Sequence, residues 1–275
     1  MEKLEHTNKR LLFFSFLVVA LLVAAALATL WLYGGTLTQA KWNVFVFTRL
    51  PVGRVGNLYI RASEVDLYKF AEDGEKSTAV SVFANSKKVE AVAKGKVIFT
   101  NQVLNETASR LAVGDPTYAM LVKKVGAYVA EQTEARKYLY EVKLRIWYAQ
   151  QPSLEPLLAS RAQEIEQRIQ KGETLESLAK AFSEDSATKW FSGDAGYVDI
   201  SGAVPEYKKV VESLPLHKIA RVYTRFGLHI VQVTGEVQDH GKKMLHIQEI
   251  VLRPTNFDSW LSTQEDLVPV VWYVK

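Results

Sequence analysis

Two stretches decide how this chain is read: Leu175–Val198, LESLAKAFSEDSATKWFSGDAGYV, and Thr224–Val233, TRFGLHIVQV. In the first, Leu175, Leu178, Ala179 and Phe182 recur at helical spacing behind Thr174, whose side-chain oxygen suits a helix N-cap. The pattern then breaks into a polar loop, Ser183–Gly196, which closes on Gly193 and Gly196. In the second, Arg225, Phe226 and Gly227 mark a turn between two strand-like runs, Ile219–Tyr223 and Leu228–Val233. Between the two stretches, Pro205 suits a first helical turn, and Tyr207, Val210, Val211 and Leu214 follow at helical spacing.

Upstream, Leu157, Leu158, Ala162, Ile165 and Ile169 predict an amphipathic helix within Leu154–Lys171, ended by Gly172. Before it, EVKLRIWYA (Glu141–Ala149) is rich in β-branched and aromatic residues and predicts a strand. The resulting order is β, α, α, loop, α, β, β. It predicts an α+β domain over residues 141–236, with helices packed on a mostly antiparallel sheet. Residues 237–275 are expected to add a strand, MLHIQEIVL, and a tail that docks through Phe257, Trp260 and Leu261. Residues 34–140 predict a mostly helical domain. It is introduced by strands at Trp42–Phe47 and Val55–Ile60 and by a capped helix start at Ser63.

The N-terminus carries a different signal. Leu11–Tyr33 contains no charged residue, and a helix of that length covers roughly 34 Å, enough for a hydrocarbon core of about 30 Å. A cleavable signal peptide is the alternative, but Leu30, Trp31, Leu32 and Tyr33 carry the apolar run past Ala24, Ala26 and Ala28. The expectation is a single-pass anchor in the cell membrane at residues 11–33, with residues 1–10 cytoplasmic and the remaining domains extracytoplasmic.

Over all 275 residues, 48% are hydrophobic and 23% charged, which excludes collagen-like and wholly disordered classes. The net charge of +4 is spread along the chain, so nucleic-acid binding has no support. The chain has no cysteine, which excludes thiolate zinc sites and cysteine nucleophiles. His6, His217 and His240 show no ligand spacing with carboxylates, so no metal is expected.

The two quoted stretches, in this order and with these intervening elements, resemble the signatures of the parvulin (PpiC-type) peptidylprolyl isomerase domain. The match is carried by Ser183, Asp185, Gly193, Asp194, Gly196, Pro205, Thr224, Gly227, His229 and Ile230. More faintly, VGNLYIRASEVDLYKFA (Val55–Ala71) is similar to the chaperone segment that precedes such domains in SurA- and PrsA-like foldases. The resemblance implies catalysis of X-Pro cis-trans isomerisation, which when uncatalysed takes tens to hundreds of seconds. No cofactor is needed, because no bond is made or broken. The implied partners are unfolded or proline-containing exported polypeptides.

In the family an apolar cup holds the proline ring, and two neighbouring strand histidines, a Cys or Asp, and a Thr surround it. Asp185, Thr224 and His229 match the polar set and are the implied catalytic residues. The first histidine position falls at Ile146, while the cup positions fall at Ala195, at Ala203 or Val204, and at Tyr207. If its strand forms a hairpin in the right register with the His229 strand, His246 sits near the site and replaces the missing histidine; the alternative is an exposed or half-buried strand histidine. The second reading follows from the same departures: a parvulin fold kept as a non-catalytic chaperone or peptide-binding scaffold. Asp194 lies in a turn where aspartate commonly bonds its own backbone, so it is not paired with Asp185 as a hydrolytic carboxylate. Trp147, Tyr148 and Trp190 suit either a peptide groove or ordinary packing.

Overall fold

A computed structural model describes residues 2–35, 38–62, 64 and 76–273; Ser63, the expected helix start, lies outside the described residues. In chain order the elements are α1 (Glu2–Tyr33), α2 (Gln39–Thr48), β1 (Pro51–Val55), β2 (Leu58–Arg61), α3 (Lys76–Ala93), α4 (Asn101–Gly114), α5 (Pro116–Val125) and α6 (Ala127–Ala130). A π-helical segment, Glu131–Ala135, leads into α7 (Arg136–Ala149), followed by α8 (Pro156–Gln170) and α9 (Leu175–Phe182). The rest of the chain forms β3 (Asp194–Asp199), α10 (Pro205–Val211), β4 (Ile219–Thr224), β5 (Gly227–Asp239), β6 (Lys242–Leu252), α11 (Phe257–Asp266) and β7 (Val270–Trp272). These elements form two compact units that interleave along the chain. One draws on residues 1–91, 115–133 and 268–275, the other on residues 92–114 and 134–267.

The first unit holds a three-stranded antiparallel sheet in the order β2-β1-β7, with Gly53 facing Trp272 and Val55 facing Val270. Phe45, Val52, Val55, Ile60, Ala62, Phe83 and Val129 form its core. Trp42–Phe47, expected as a strand, is helical within α2, capped by Thr38 Oγ1 on the Lys41 N–H. Burial of Phe45 in the core decides this, since β propensity yields to tertiary packing.

The expected membrane anchor is also corrected. Among the described residues no helix is long and apolar enough to cross a membrane, so residues 11–33 are not assigned as a span and the single-pass membrane location falls with them. The end of the apolar run belongs to the folded unit. Leu32 is buried with Phe45, and the Tyr33 hydroxyl donates to the Pro51 carbonyl at 3.0 Å while its ring meets Phe45 edge-on.

The second unit is α+β, built on a four-stranded antiparallel sheet in the order β3-β6-β5-β4. Side chains alternate along β5. Leu228 and Ile230, with Ile250 and Leu252 of β6, pack on one face under α8 and α9 through Leu158, Ala162, Ile165, Leu175 and Leu178. Val231 and Val233, with Leu245 and Ile247, pack on the other face against Val211 and Tyr207 of α10. Burial of each such aliphatic side chain contributes about 1.5–3 kcal/mol.

Glu141–Ala149, expected as the opening strand, is the last part of helix α7. Leu144 and Tyr148, four residues apart, are both buried, and Tyr148 meets Phe257 and Trp260 of α11. The aromatic residues that favoured a strand thus line one helix stripe. The tail is fixed there by Arg145, which bonds Asp258 at 2.7 Å, and by buried Glu155, which accepts from Thr255 Oγ1 at 3.2 Å. With no strand from residues 141–149, the position beside β5 is taken by β6, which follows β5 in the chain.

Candidate functional site

The α10 face of the sheet carries a polar chain within an otherwise apolar surface. Val222 pairs with His229 and Val231 with Glu249, so His229 and Glu249 share the face of Val231 and Val233. His229 Nε2 lies 2.9 Å from Thr224 Oγ1, and His229 Nδ1 lies 2.9 Å from Glu249 Oε2. The same carboxylate oxygen accepts the Tyr207 hydroxyl proton at 2.8 Å, and the Tyr207 ring stands edge-on to the imidazole, 5.1 Å between centroids.

The Phe226 N–H donates to Thr224 Oγ1 at 3.0 Å, and the same oxygen shares a hydrogen bond with His229 Nε2. A glutamate carboxylate can only accept, so Nδ1 donates to Glu249. The two bonds fix the orientation of the imidazole ring. Thr224 is fully buried, and the side chains of His229 and Glu249 are 9% and 13% exposed. Burial first, and then the Glu249 charge and hydrogen bond, push the Tyr207 phenol well above its ordinary range.

Backbone contacts place the neighbouring loop. Ser183 Oγ accepts from the Val251 N–H at 3.2 Å, and the Glu184 N–H donates to the Val251 carbonyl at 2.8 Å. Further along, the Gly193 carbonyl accepts from the Glu249 N–H at 2.9 Å. Gly193 has φ +83° and packs so closely that an added Cβ would sit 2.7 Å from the Ala179 Cβ and against the Glu249 carbonyl. Only glycine fits both conditions.

The structure brings Thr224, His229 and Tyr207 together. It also packs Ala195 and Ala203 against the same apolar cluster, and Val204 is the half-buried N-cap residue of α10. Asp185 lies in the loop along β6, where its carboxylate accepts from Thr188 Oγ1 at 2.7 Å and the Thr188 N–H at 3.1 Å. Its bonds stay within that loop. Two expected residues stand elsewhere. Ile146 is on α7, and His246 lies on the opposite face of β6 from Leu245 and Ile247, 2.6 Å from Thr234 Oγ1 and edge-on to Tyr197. Among the described residues no cluster of three or more His, Asp or Glu side chains is arranged to hold a metal.

Glu249 is the residue that reading the sequence missed. Its signal is a carboxylate at a core-facing position of an alternating strand, where Leu245, Ile247 and Val251 are apolar.

Residues 121–237 match the family model of the PPIC-type PPIase domain. The chain carries a parvulin-type domain. Its similar proteins include the chaperone SurA of Pseudomonas aeruginosa, 35% identical over 112 residues, which are 38% of this chain and 27% of that one. The chaperone SurA of Pseudomonas syringae pv. tomato is 34% identical over 105 residues, 37% of this chain and 24% of its own. The chaperone SurA of Legionella pneumophila strain Paris is 34% identical over 87 residues, 31% and 20% of the two chains. This chain thus spans about a quarter or less of the length of these relatives. The second polar strand residue beside His229 is Glu249 of β6, beyond the matched residues, where the resemblance implied a histidine.

Proposed function

We propose that the chain is a SurA-like folding helper whose parvulin-type domain isomerises X-Pro bonds in unfolded, proline-containing polypeptides. The exported origin of those clients rests on the family resemblance alone. The observation that carries the reading is the Thr224–His229–Glu249–Tyr207 chain, set among the apolar residues of the α10 face. Isomerisation requires the peptide to lose its conjugation at the twisted geometry, and an enzyme assists by favouring that state over the planar ones. A fixed imidazole and hydroxyl beside an apolar cup supply preorganised dipoles with no reorganisation during the twist. Glu249 acts as a positioning residue, holding the imidazole through Nδ1 and the cup's Tyr207 through its hydroxyl.

A protease-coupled isomerisation assay on an X-Pro tetrapeptide tests this reading. The parent chain should accelerate the slow phase. Glu249→Gln should lower kcat/KM about tenfold, or about 1.4 kcal/mol, with KM little changed. A parent without catalysis would overturn the isomerase reading. One observation favours a second reading, a peptide-holding chaperone: Ala195 and Ala203 leave the cup shallow, and the Tyr207 hydroxyl makes it partly polar. Under that reading the parent suppresses client aggregation without accelerating the slow phase.

A further inference from the structure

The hydrogen bonds of the polar chain fall on one oxygen of its carboxylate. The Tyr207 hydroxyl and His229 Nδ1 both meet Glu249 Oε2, at 2.8 and 2.9 Å, and among the described residues no donor meets Oε1. That second oxygen is not sealed in the core. Among the described residues every fully buried side-chain nitrogen or oxygen has a partner, so Oε1 keeps contact with solvent, in line with the 13% exposure of the Glu249 side chain. An ionised carboxylate can accept at about four lone-pair positions, so Glu249 has capacity to spare.

Glu249 also stands apart from its neighbours in charge. The other glutamates of the adjoining loop and of α10 with its C-cap are paired: Glu184 with Arg161 at 2.7 Å, Glu206 with Lys143 at 2.7 Å and Glu212 with Lys208 at 3.7 Å. Among the described residues no lysine or arginine pairs with Glu249, whose one ionisable basic partner is the His229 ring. A carboxylate partly withdrawn from water beside an apolar cup has lost hydration that an incoming cation restores in part. In the isomerase reading the carbonyl of X meets the Thr224 and His229 dipoles, so the X side chain starts at the imidazole. A lysine or arginine stem is long enough to cross one ring to the carboxylate behind it, and its methylenes suit the apolar surface on the way. The net charge of the whole chain, +4, works in the opposite direction, since its long-range field draws acidic peptides. A preference for basic X would therefore report the local carboxylate.

We propose that Glu249 sets the preference for X: its Oε1 accepts the side chain of a lysine or arginine preceding the client proline, so that basic X-Pro segments are taken ahead of acidic ones. This inference rests on the isomerase reading of the site. The experiment compares kcat/KM of the full chain on Ala-X-Pro-Phe tetrapeptides with X as Lys, Ala or Glu, at about pH 8, above the ordinary imidazole value of about 6.5. At low salt the Lys peptide should exceed the Glu peptide about tenfold with Ala between them, and the ratio should narrow to about threefold in about 1 M salt, where screening sets in within about 3 Å. The salt arm uses the parent alone, so it stands even where a variant fails to fold. Glu249→Gln removes the charge at nearly constant shape and should bring the ratio to within about twofold, whereas Glu249→Asp keeps the charge and should keep Lys ahead of Glu. Both variants also lose absolute rate through positioning, so the ratio between peptides carries the result. Asp185→Asn should leave the ratio as it is in the parent. Equal kcat/KM for the three peptides in the parent, a ratio unmoved by salt, a ratio that survives Glu249→Gln, or one lost in Asp185→Asn would overturn the proposal. If the parent turns over none of the peptides, the isomerase reading fails, and anisotropy with labelled Ala-Lys-Pro-Phe and Ala-Glu-Pro-Phe decides the preference by itself. Tighter binding of the lysine peptide that Glu249→Gln abolishes upholds it, and equal binding overturns it.

Discussion

Replacing Tyr207 with Phe removes one oxygen and tests the network where its two halves meet. The hydroxyl donates to Glu249 Oε2 at 2.8 Å, the same atom that faces His229 Nδ1. A hydrogen bond to a charged group contributes about 1.5–3 kcal/mol. The Glu249 side chain is 13% exposed and can be partly rehydrated once its donor is gone, so the lower figure, about 1.5 kcal/mol near pH 8, is expected. The difference should then depend on pH. In the unfolded chain a tyrosine titrates near pH 10, whereas folded Tyr207 holds its proton to higher pH through burial and the Glu249 charge. Below about pH 10 both states keep the proton and the parent's advantage is constant. Above it the unfolded state has lost the Tyr207 proton and the folded state has not, so the Tyr207 contribution, which only the parent has, falls by about 1.4 kcal/mol per pH unit. Urea unfolding of parent and Y207F, followed by circular dichroism between about pH 8 and 11, should show the gap close by about pH 11. A gap that stays constant to that pH, or no gap at pH 8, would refute a buried, carboxylate-bonded phenol at this position.

Two further outcomes follow from the geometry around the site. Gly193→Ala forces a side chain into a φ of +83° and against both the Glu249 carbonyl and Ala179; it should cost more than about 2 kcal/mol in urea unfolding and lower isomerase activity by shifting the loop along β6. Asp199 is held well below the usual carboxylate range, first by Lys242 at 2.8 Å and then by Ser201, so its contribution is present above its unfolded value near pH 4 and is lost as pH falls through its lower folded value. Lys242→Met should therefore raise the Asp199 carboxyl toward the ordinary value in an NMR titration; an unchanged titration would show that the Ser201 bonds alone hold it.

Much of the second unit could be read in the sequence because its signals are local. Thr174 caps α9 as the hydroxyl before an apolar helix should, accepting from the Ser177 N–H at 3.2 Å. The Phe226–Gly227 turn is set by a glycine at φ +135° whose added Cβ would strike the Leu252 backbone, and β4 and β5 leave it as the antiparallel pair that the turn signal implied. Thr224 and His229 were implied by the resemblance to the parvulin signature, and the β4–β5 turn sets them 2.9 Å apart.

What the sequence determined by itself, then, was the α+β class of this unit, the helices of Leu154–Phe182 and the hairpin of β4 and β5, all products of contacts between near neighbours; the pair Thr224 and His229 came from the family resemblance. Only the tertiary structure decided the rest. Glu141–Ala149 has strand composition, yet it is a helix because Tyr148 finds Phe257 and Trp260 more than a hundred residues away. The strand beside His229 is β6, and the alternation of β6 places Glu249 toward the imidazole and His246 away from it. In the same way, the end of α1 joins a protein core through Leu32 and Tyr33, a use that hydropathy does not reveal. A partner across a sheet or a core is chosen by packing and register summed over distant segments, and no window of sequence contains that sum.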